Sequence, residues 1–177
     1  MLFYLFSAEE LRELFDRLGY PFEYETIPKN IEYYLERTSH GSTLSHIVHA
    51  WVLARSDRTR SWQLFTEALG SDVADVQGGT TPEGIHLGAM AGTVDLIQRG
   101  YTDIDSRGDV LWFNPCLPEE LVRLRLHIRY RGQPLEVDIT SGSLRITALR
   151  CRARPVMIGF RGEVRELKEC ATLEFAL

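Results

Sequence analysis

The chain reads as an α+β protein in two packing units, helical to about Gly100 and built of antiparallel strands from about Val110. Three observations predict this. Apolar residues recur at helical spacing in the first part, as in Leu44, Ile47, Val48, Trp51 and Val52. In the second part they alternate, with Val122, Leu124, Leu126, Ile128 and Tyr130 interleaved with Arg123, Arg125, His127 and Arg129. The charge balance changes at the same place. Residues 1–103 hold eight Lys/Arg against fifteen Asp/Glu, and residues 104–177 hold twelve against ten. Helices first and strands after, without βαβ alternation, means two units joined near Asp103–Asp109.

The helical elements follow from local signals. Ser7 and Glu10 form a capping box ahead of Leu11, Leu14, Phe15 and Leu18, and Gly19 stops that helix. A connector from Tyr20 to Pro28 leads to a short helix marked by Ile31, Tyr34 and Leu35, ending near Thr38. The Leu44–Val52 helix is followed by one carrying Trp62, Phe65 and Leu69, with Asp57 as its cap, so the two should form an antiparallel pair. Thr81 and Pro82 predict the start of a last helix running to about Arg99-Gly100. Its Gly84, Gly88, Ala89, Ala91 and Gly92 suit close helix packing. Beyond the Val122–Tyr130 strand, further strands are expected at 110–113, 135–139, 144–149, 155–160, 163–168 and 171–176. Arg131-Gly132, Ser141-Gly142 and Arg161-Gly162 supply turns between them.

Composition excludes several classes. At 44% hydrophobic and 25% charged, the 177 residues have the balance of a globular protein. A net charge of −5 and a pI near 5.6 argue against nucleic acid as a partner. Cys116, Cys151 and Cys170 form no CxxC pair, which points to reduced thiols and a cytoplasmic location. The apolar opening Met1–Phe6 is too short and wrongly flanked for a signal peptide, and no run approaches the ~20 apolar residues of a membrane span. It reads as part of a core helix whose beginning is absent. The helices enclose no complete bundle core, so part of the helical unit is expected to be missing.

Two stretches carry candidate chemistry. Arg37–Ser45 and Asp75–His86 each place glycine, hydroxyls and backbone N–H groups before a helix. Helix N-termini bind anions because their first amides are unpaired and the dipole is positive there. Ordinary capping uses the same residues and competes with this reading. His46 and His49 lie three apart, but no matching cysteine or carboxylate suggests a metal, so packing is the better account. Glu83 would sit in a first helical turn, where the dipole favours its ionised form, the wrong direction for a general acid. It and His86 are weak candidates for sugar contacts. Trp51 and Trp62 have core spacing, and Arg123, Arg125 and Arg129 read as the wet face of a strand.

His40-Gly41-Ser42-Thr43-Leu44-Ser45 resembles the His-x-Ser-Ser-Leu-Ser stretch of glycoside hydrolase family 65, the maltose, trehalose and kojibiose phosphorylases. Asp75–His86, continuing through Gly88-Ala89-Met90-Ala91-Gly92-Thr93, resembles that family's Asp-x-x-x-Asn-Thr-x-x-Gly-Ile-His region, although Gly78–Pro82 departs from it. Leu111-Trp112-Phe113-Asn114-Pro115 and Arg129-Tyr130-Arg131-Gly132 extend the match to roughly Leu2–Thr147. The resemblance implies that residues 1–103 are the final helices of an (α/α)6 catalytic barrel and residues 104–177 a small antiparallel β-sandwich. It implies an inverting phosphorolysis of an α-linked glucosyl disaccharide to β-glucose 1-phosphate, with the general-acid glutamate upstream and no catalytic residue in this chain. His40, Ser42 and Thr43 would be phosphate ligands, with Gln77, Gly79 and Thr80 as further candidates. No cofactor or metal is implied, and inorganic phosphate is the co-substrate. Expected partners are the disaccharide, phosphate, the missing N-terminal part and, since the family is often dimeric, a second copy; nucleic acid and membrane are not expected. A family hydrolase using water is the alternative. An alternative of another class is a non-catalytic remnant that packs against a partner.

Overall fold

Ser7 and Glu10 close a reciprocal capping box in the computed structural model, which describes every residue except Met1, His40, Val76, Gln77, Thr80, Thr81 and Glu83, and the side chain of Glu9. The box starts α2 (Ala8–Arg17), after a single turn of helix, α1 (Leu2–Leu5). Gly19, at φ 75°, ends α2: its N–H bonds Asp16 O, the Tyr20 N–H bonds Phe15 O, and the Tyr20 ring rests on Phe15. This double bond with its apolar contact satisfies the last carbonyls. Helix α3 (Thr26–Leu35) begins before Pro28, so the connector is shorter than expected. Proline is tolerated there because first-turn N–H groups have no helical acceptor.

Asp57 caps α5 (Arg58–Gly70) by accepting from the Arg60 N–H at 3.0 Å. Helix α4 (Thr43–Leu53) packs against it in the predicted antiparallel sense, since Ser61 bonds Ala50 while Glu67 reaches back to His46. The last helix, α6, spans Leu87–Asp95 and continues as a π turn over Leu96–Gly100. It therefore starts later than the Thr81-Pro82 signal predicts, and Thr81 lies outside the described residues. Gly84 takes φ 118°, a value no α-helix contains, so Pro82 cannot lead directly into α6. His86 is the N-cap instead. Of the small residues expected to pack closely, Gly88, Ala89 and Gly92 do so, whereas Gly84 lies outside the helix and Ala91 is exposed. A Cβ on Gly88 would lie 3.1 Å from Leu44 Cδ2, and one on Gly92 only 2.5 Å from Ile47 Cγ2.

Two compact units result, residues 1–96 and residues 97–177. In the second, Tyr101 is fully buried, Cys116 N–H bonds Tyr101 O, and Asn114 bonds Asp103. The strands are β1 (Asp105–Arg107), β2 (Val110–Phe113), β3 (Arg123–Tyr130), β4 (Gln133–Thr140), β5 (Ser143–Ala148), β6 (Val156–Phe160), β7 (Glu163–Leu167) and β8 (Thr172–Ala176). They form two four-stranded sheets, ordered β1-β2-β6-β7 and β3-β4-β5-β8. The second sheet is antiparallel throughout, and in the first β2 runs parallel to β6. Arg131-Gly132 and Arg161-Gly162 make the expected tight turns with both residues at positive φ. Leu111, Phe113, Ile158 and Phe160 from one sheet share a single core with Leu135, Val137, Ile139 and Ile146 from the other. The fold is thus α+β, with a helical unit followed by a sandwich. Among the described residues no helix is long and apolar enough to cross a membrane.

Candidate anion-binding end of the helical unit

The close contacts of α6 set the geometry of the candidate site. Gly88 meets Leu44 and Gly92 meets Ile47, so α4 and α6 run parallel and in register. Leu44 and Gly88 each lie two residues after their caps, Ser42 and His86. The two helix N-termini therefore emerge at the same end. Helix α5 runs the other way and delivers Ser71 and Asp72 to that end. Packing among three helices thus brings Ser42, Asp72 and His86 to one end of the unit.

Individual residues there are differently employed. Ser42 is exposed, takes extended backbone angles, and accepts from the Leu44 N–H at 3.3 Å. Its carbonyl accepts from the Ser45 N–H and hydroxyl. It is a helix cap whose position also faces solvent. Thr43 is 3% exposed and belongs to the packed side of α4. The Gly79 N–H donates to the Asp75 carboxylate at 2.8 Å, so that amide already holds an anionic group. His40, Gln77, Thr80 and Glu83 lie outside the described residues.

His86 and Asp72 form a side-chain pair at this end that sequence reasoning missed. Asp72 accepts from the His86 backbone N–H at 3.0 Å with one oxygen and meets His86 Nδ1 with the other. The side-chain bond to His86 holds the Asp72 carboxyl below the ordinary aspartate value, against the desolvation that raises it. An ionised carboxylate only accepts, so Nδ1 carries the proton and Nε2 is the nitrogen left to meet a ligand. Nothing local in the sequence links the pair, because the acid comes from the end of α5.

The other candidates resolve into packing. His46 is buried and faces Glu67 at 3.5 Å. Among the described residues no three His, Cys, Asp or Glu gather as a metal site. Trp51 and Trp62 are half-buried and contact the Tyr4 and Phe65 rings. The arginine row of β3 has the acidic partner that the sequence did not reveal: Asp138 of β4 accepts from Arg123 at 2.8 and 2.6 Å and from Arg125 at 3.3 Å. A cleft of about 400 Å³ lies at the opposite end of the α4–α5 hairpin, among Leu35, Leu53, Glu32, Glu36 and Asp57. Its carboxylates do not suit an anion.

Residues 1–95 match the Glycosyl hydrolase family 65 central catalytic domain, and residues 104–167 match the Glycosyl hydrolase family 65, C-terminal domain. The chain belongs to glycoside hydrolase family 65. An uncharacterized glycosyl hydrolase of Mycobacterium tuberculosis is 48% identical over 174 residues, covering 98% of this chain and 13% of that protein. A trehalose 6-phosphate phosphorylase of Lactococcus lactis is 35% identical over 149 residues, or 84% of this chain and 19% of that one. A kojibiose phosphorylase of Caldanaerobacter subterraneus is 36% identical over 134 residues, or 74% and 17%. A solved structure, a putative kojibiose phosphorylase from the human microbiome, shares the fold with a TM-score of 0.75 at 24% identity, over 88% of this chain and 21% of that one. The chain thus spans a fifth or less of the length of these curated family 65 relatives.

Proposed function

We propose that this chain supplies the phosphate-receiving end of a family 65 α-glucosyl disaccharide phosphorylase. In this reading residues 1–103 are the last helices of its (α/α)6 catalytic barrel, and residues 104–177 are its C-terminal β-domain. The enzyme works in the cytoplasm and needs no cofactor or metal. The observation that carries the proposal is the matched register of α4 and α6, which sets two positive helix ends side by side. An anion at that end offsets the repulsion between like dipole ends. Ser42 supplies a hydroxyl donor at the start of α4, and His86 Nε2, an acceptor while Nδ1 holds the proton toward Asp72, takes the hydroxyl hydrogen of a monoprotonated phosphate.

Inverting cleavage of a glycoside needs an acid at the leaving oxygen and a nucleophile on the opposite face. Phosphate is already anionic, so it attacks without a base, and the helix ends have only to hold and orient it. The acid is expected from a glutamate outside this chain. Residues 1–177 match a fifth or less of the length of such phosphorylases, so the chain alone is expected to release no glucose 1-phosphate from maltose, trehalose or kojibiose.

The test uses an active family 65 enzyme that contains this chain. His40→Ala should raise KM for phosphate about ten- to a hundredfold, the effect of losing one hydrogen bond to a charged group, while KM for the disaccharide changes little. An unchanged phosphate KM in a folded variant would remove the phosphate assignment. Equal sugar release with and without phosphate would favour the hydrolase.

A further inference from the structure

The exposed arginines of the sandwich divide into two groups. Arg107, Arg123, Arg125, Arg131, Arg145 and Arg165 each have a carboxylate within salt-bridge distance. Arg129, Arg150, Arg152, Arg154 and Arg161 are exposed and have none among the described residues, and of these Arg161 lies over the Phe160 ring in the β6–β7 turn. The other four belong to two neighbouring segments. The β5–β6 loop that carries Arg150, Arg152 and Arg154 is fastened to the β3–β4 turn beside Arg129.

The fastening is a buried side chain. Gln133 is fully buried at the start of β4. Its amide nitrogen donates to Leu149 O at 2.6 Å and Pro134 O at 3.0 Å, and its oxygen accepts from Cys151 Sγ at 3.1 Å. Cys151 Sγ in turn accepts from the Ala153 N–H, and the Glu169 carboxylate accepts from the Cys151 N–H at 2.7 Å. Exposure then alternates along the loop. Cys151 and Ala153 are partly covered, and Arg150, Arg152 and Arg154 face solvent. A set of guanidinium groups without carboxylate partners is thus presented from a loop whose backbone is held by the buried Gln133 and by the partly covered Cys151.

We infer that the Arg150–Arg154 loop, together with Arg129, is a binding site for a small phosphate-rich anion such as an oligophosphate or a phosphorylated metabolite. Guanidinium forks match phosphate oxygens bidentately, and a pre-held loop loses little entropy on binding. A nucleic-acid face is disfavoured by the net charge of −5. The site lies in the second unit and does not depend on the phosphorylase reading.

Isothermal titration of tripolyphosphate into the 177-residue chain tests it. Saturable binding is expected that weakens at least about tenfold in R150Q/R152Q/R154Q, as loss of several charge-assisted hydrogen bonds implies. The substituted side chains are exposed, so the triple variant should keep its strands, which circular dichroism checks. Ser42→Ala should leave this binding in place, which separates it from the helical end. Equal affinity in wild type and triple variant overturns the proposal. So does tighter binding of a mixed-sequence single-stranded oligonucleotide than of tripolyphosphate, which would make the loop a nucleic-acid contact.

Discussion

Asp72 fixes the tautomer of His86, because one carboxylate grips both the backbone and the ring of the same residue. In alkaline solution, where imidazoles are neutral, nitrogen-detected NMR should show the His86 proton on Nδ1. Asp72→Ala should shift it toward Nε2, and a wild-type ring already protonated on Nε2 would contradict the assignment. Ser42 acts at the same scale, and its hydroxyl serves two readings. As the cap of α4 its loss in Ser42→Ala should cost about 1 kcal/mol of stability, measured by urea unfolding. As a phosphate donor its loss should also raise the phosphate KM of the active enzyme. A stability loss with unchanged kinetics leaves only the cap.

At the scale of elements, the approach of α6 to α4 depends on glycine. Gly92→Ala would place a methyl 2.5 Å from Cγ2 of Ile47, a branched and fully buried side chain with no room to turn. The variant should lose about 1–3 kcal/mol by overpacking, read from chemical denaturation, and an unchanged midpoint would show that the helices lie further apart. The sheet face of β3 and β4 makes a pH prediction. The Arg123 hydrogen bonds, then those of Arg125, pull the Asp138 carboxyl down to about 2, against desolvation that raises it. A carboxyl lowered on folding stabilises above its unfolded value and loses that contribution as pH falls through its folded one. Asp138 should therefore contribute fully above about pH 4 and lose its contribution toward pH 2. Asp138→Asn should flatten unfolding free energy against pH across that window, and an unchanged slope would remove Asp138 from the acid response.

At the scale of the whole molecule, the two units differ in how completely they cover their apolar residues. The sandwich core is drawn wholly from residues 111–175. Residues 97–177 alone should therefore give a strand-type circular dichroism spectrum and a cooperative melt, and a mostly helical spectrum would refute the assignment. The helical unit exposes Leu2, Leu5, Leu18, Tyr24, Tyr34, Ile85 and Leu87 by half or more. Such surface should drive the chain to self-associate, visible in light scattering as a mass that rises with concentration. A constant monomer mass would count against it.

The sequence by itself determined what depends on neighbours along the chain. The Ser7–Glu10 box, the Asp57 cap, the alternation of β3 and the Arg131-Gly132 turn arise from residues a few positions apart, so pattern suffices to read them. The family was legible too, because its motifs are local runs. Local pattern misplaced the start of α6, since the Pro82 signal is overridden by Gly84 and by the hold of Asp72 on His86. It also overlooked β1, whose Asp-Ser-Arg carries no apolar period and exists by pairing with β2. Tertiary structure alone decided the parallel register of α4 and α6, the pairing of Asp72 with His86, and the meeting of Asp138 with Arg123. The reason is physical. These contacts join segments far apart in sequence, and their energy appears only after packing has brought the segments together.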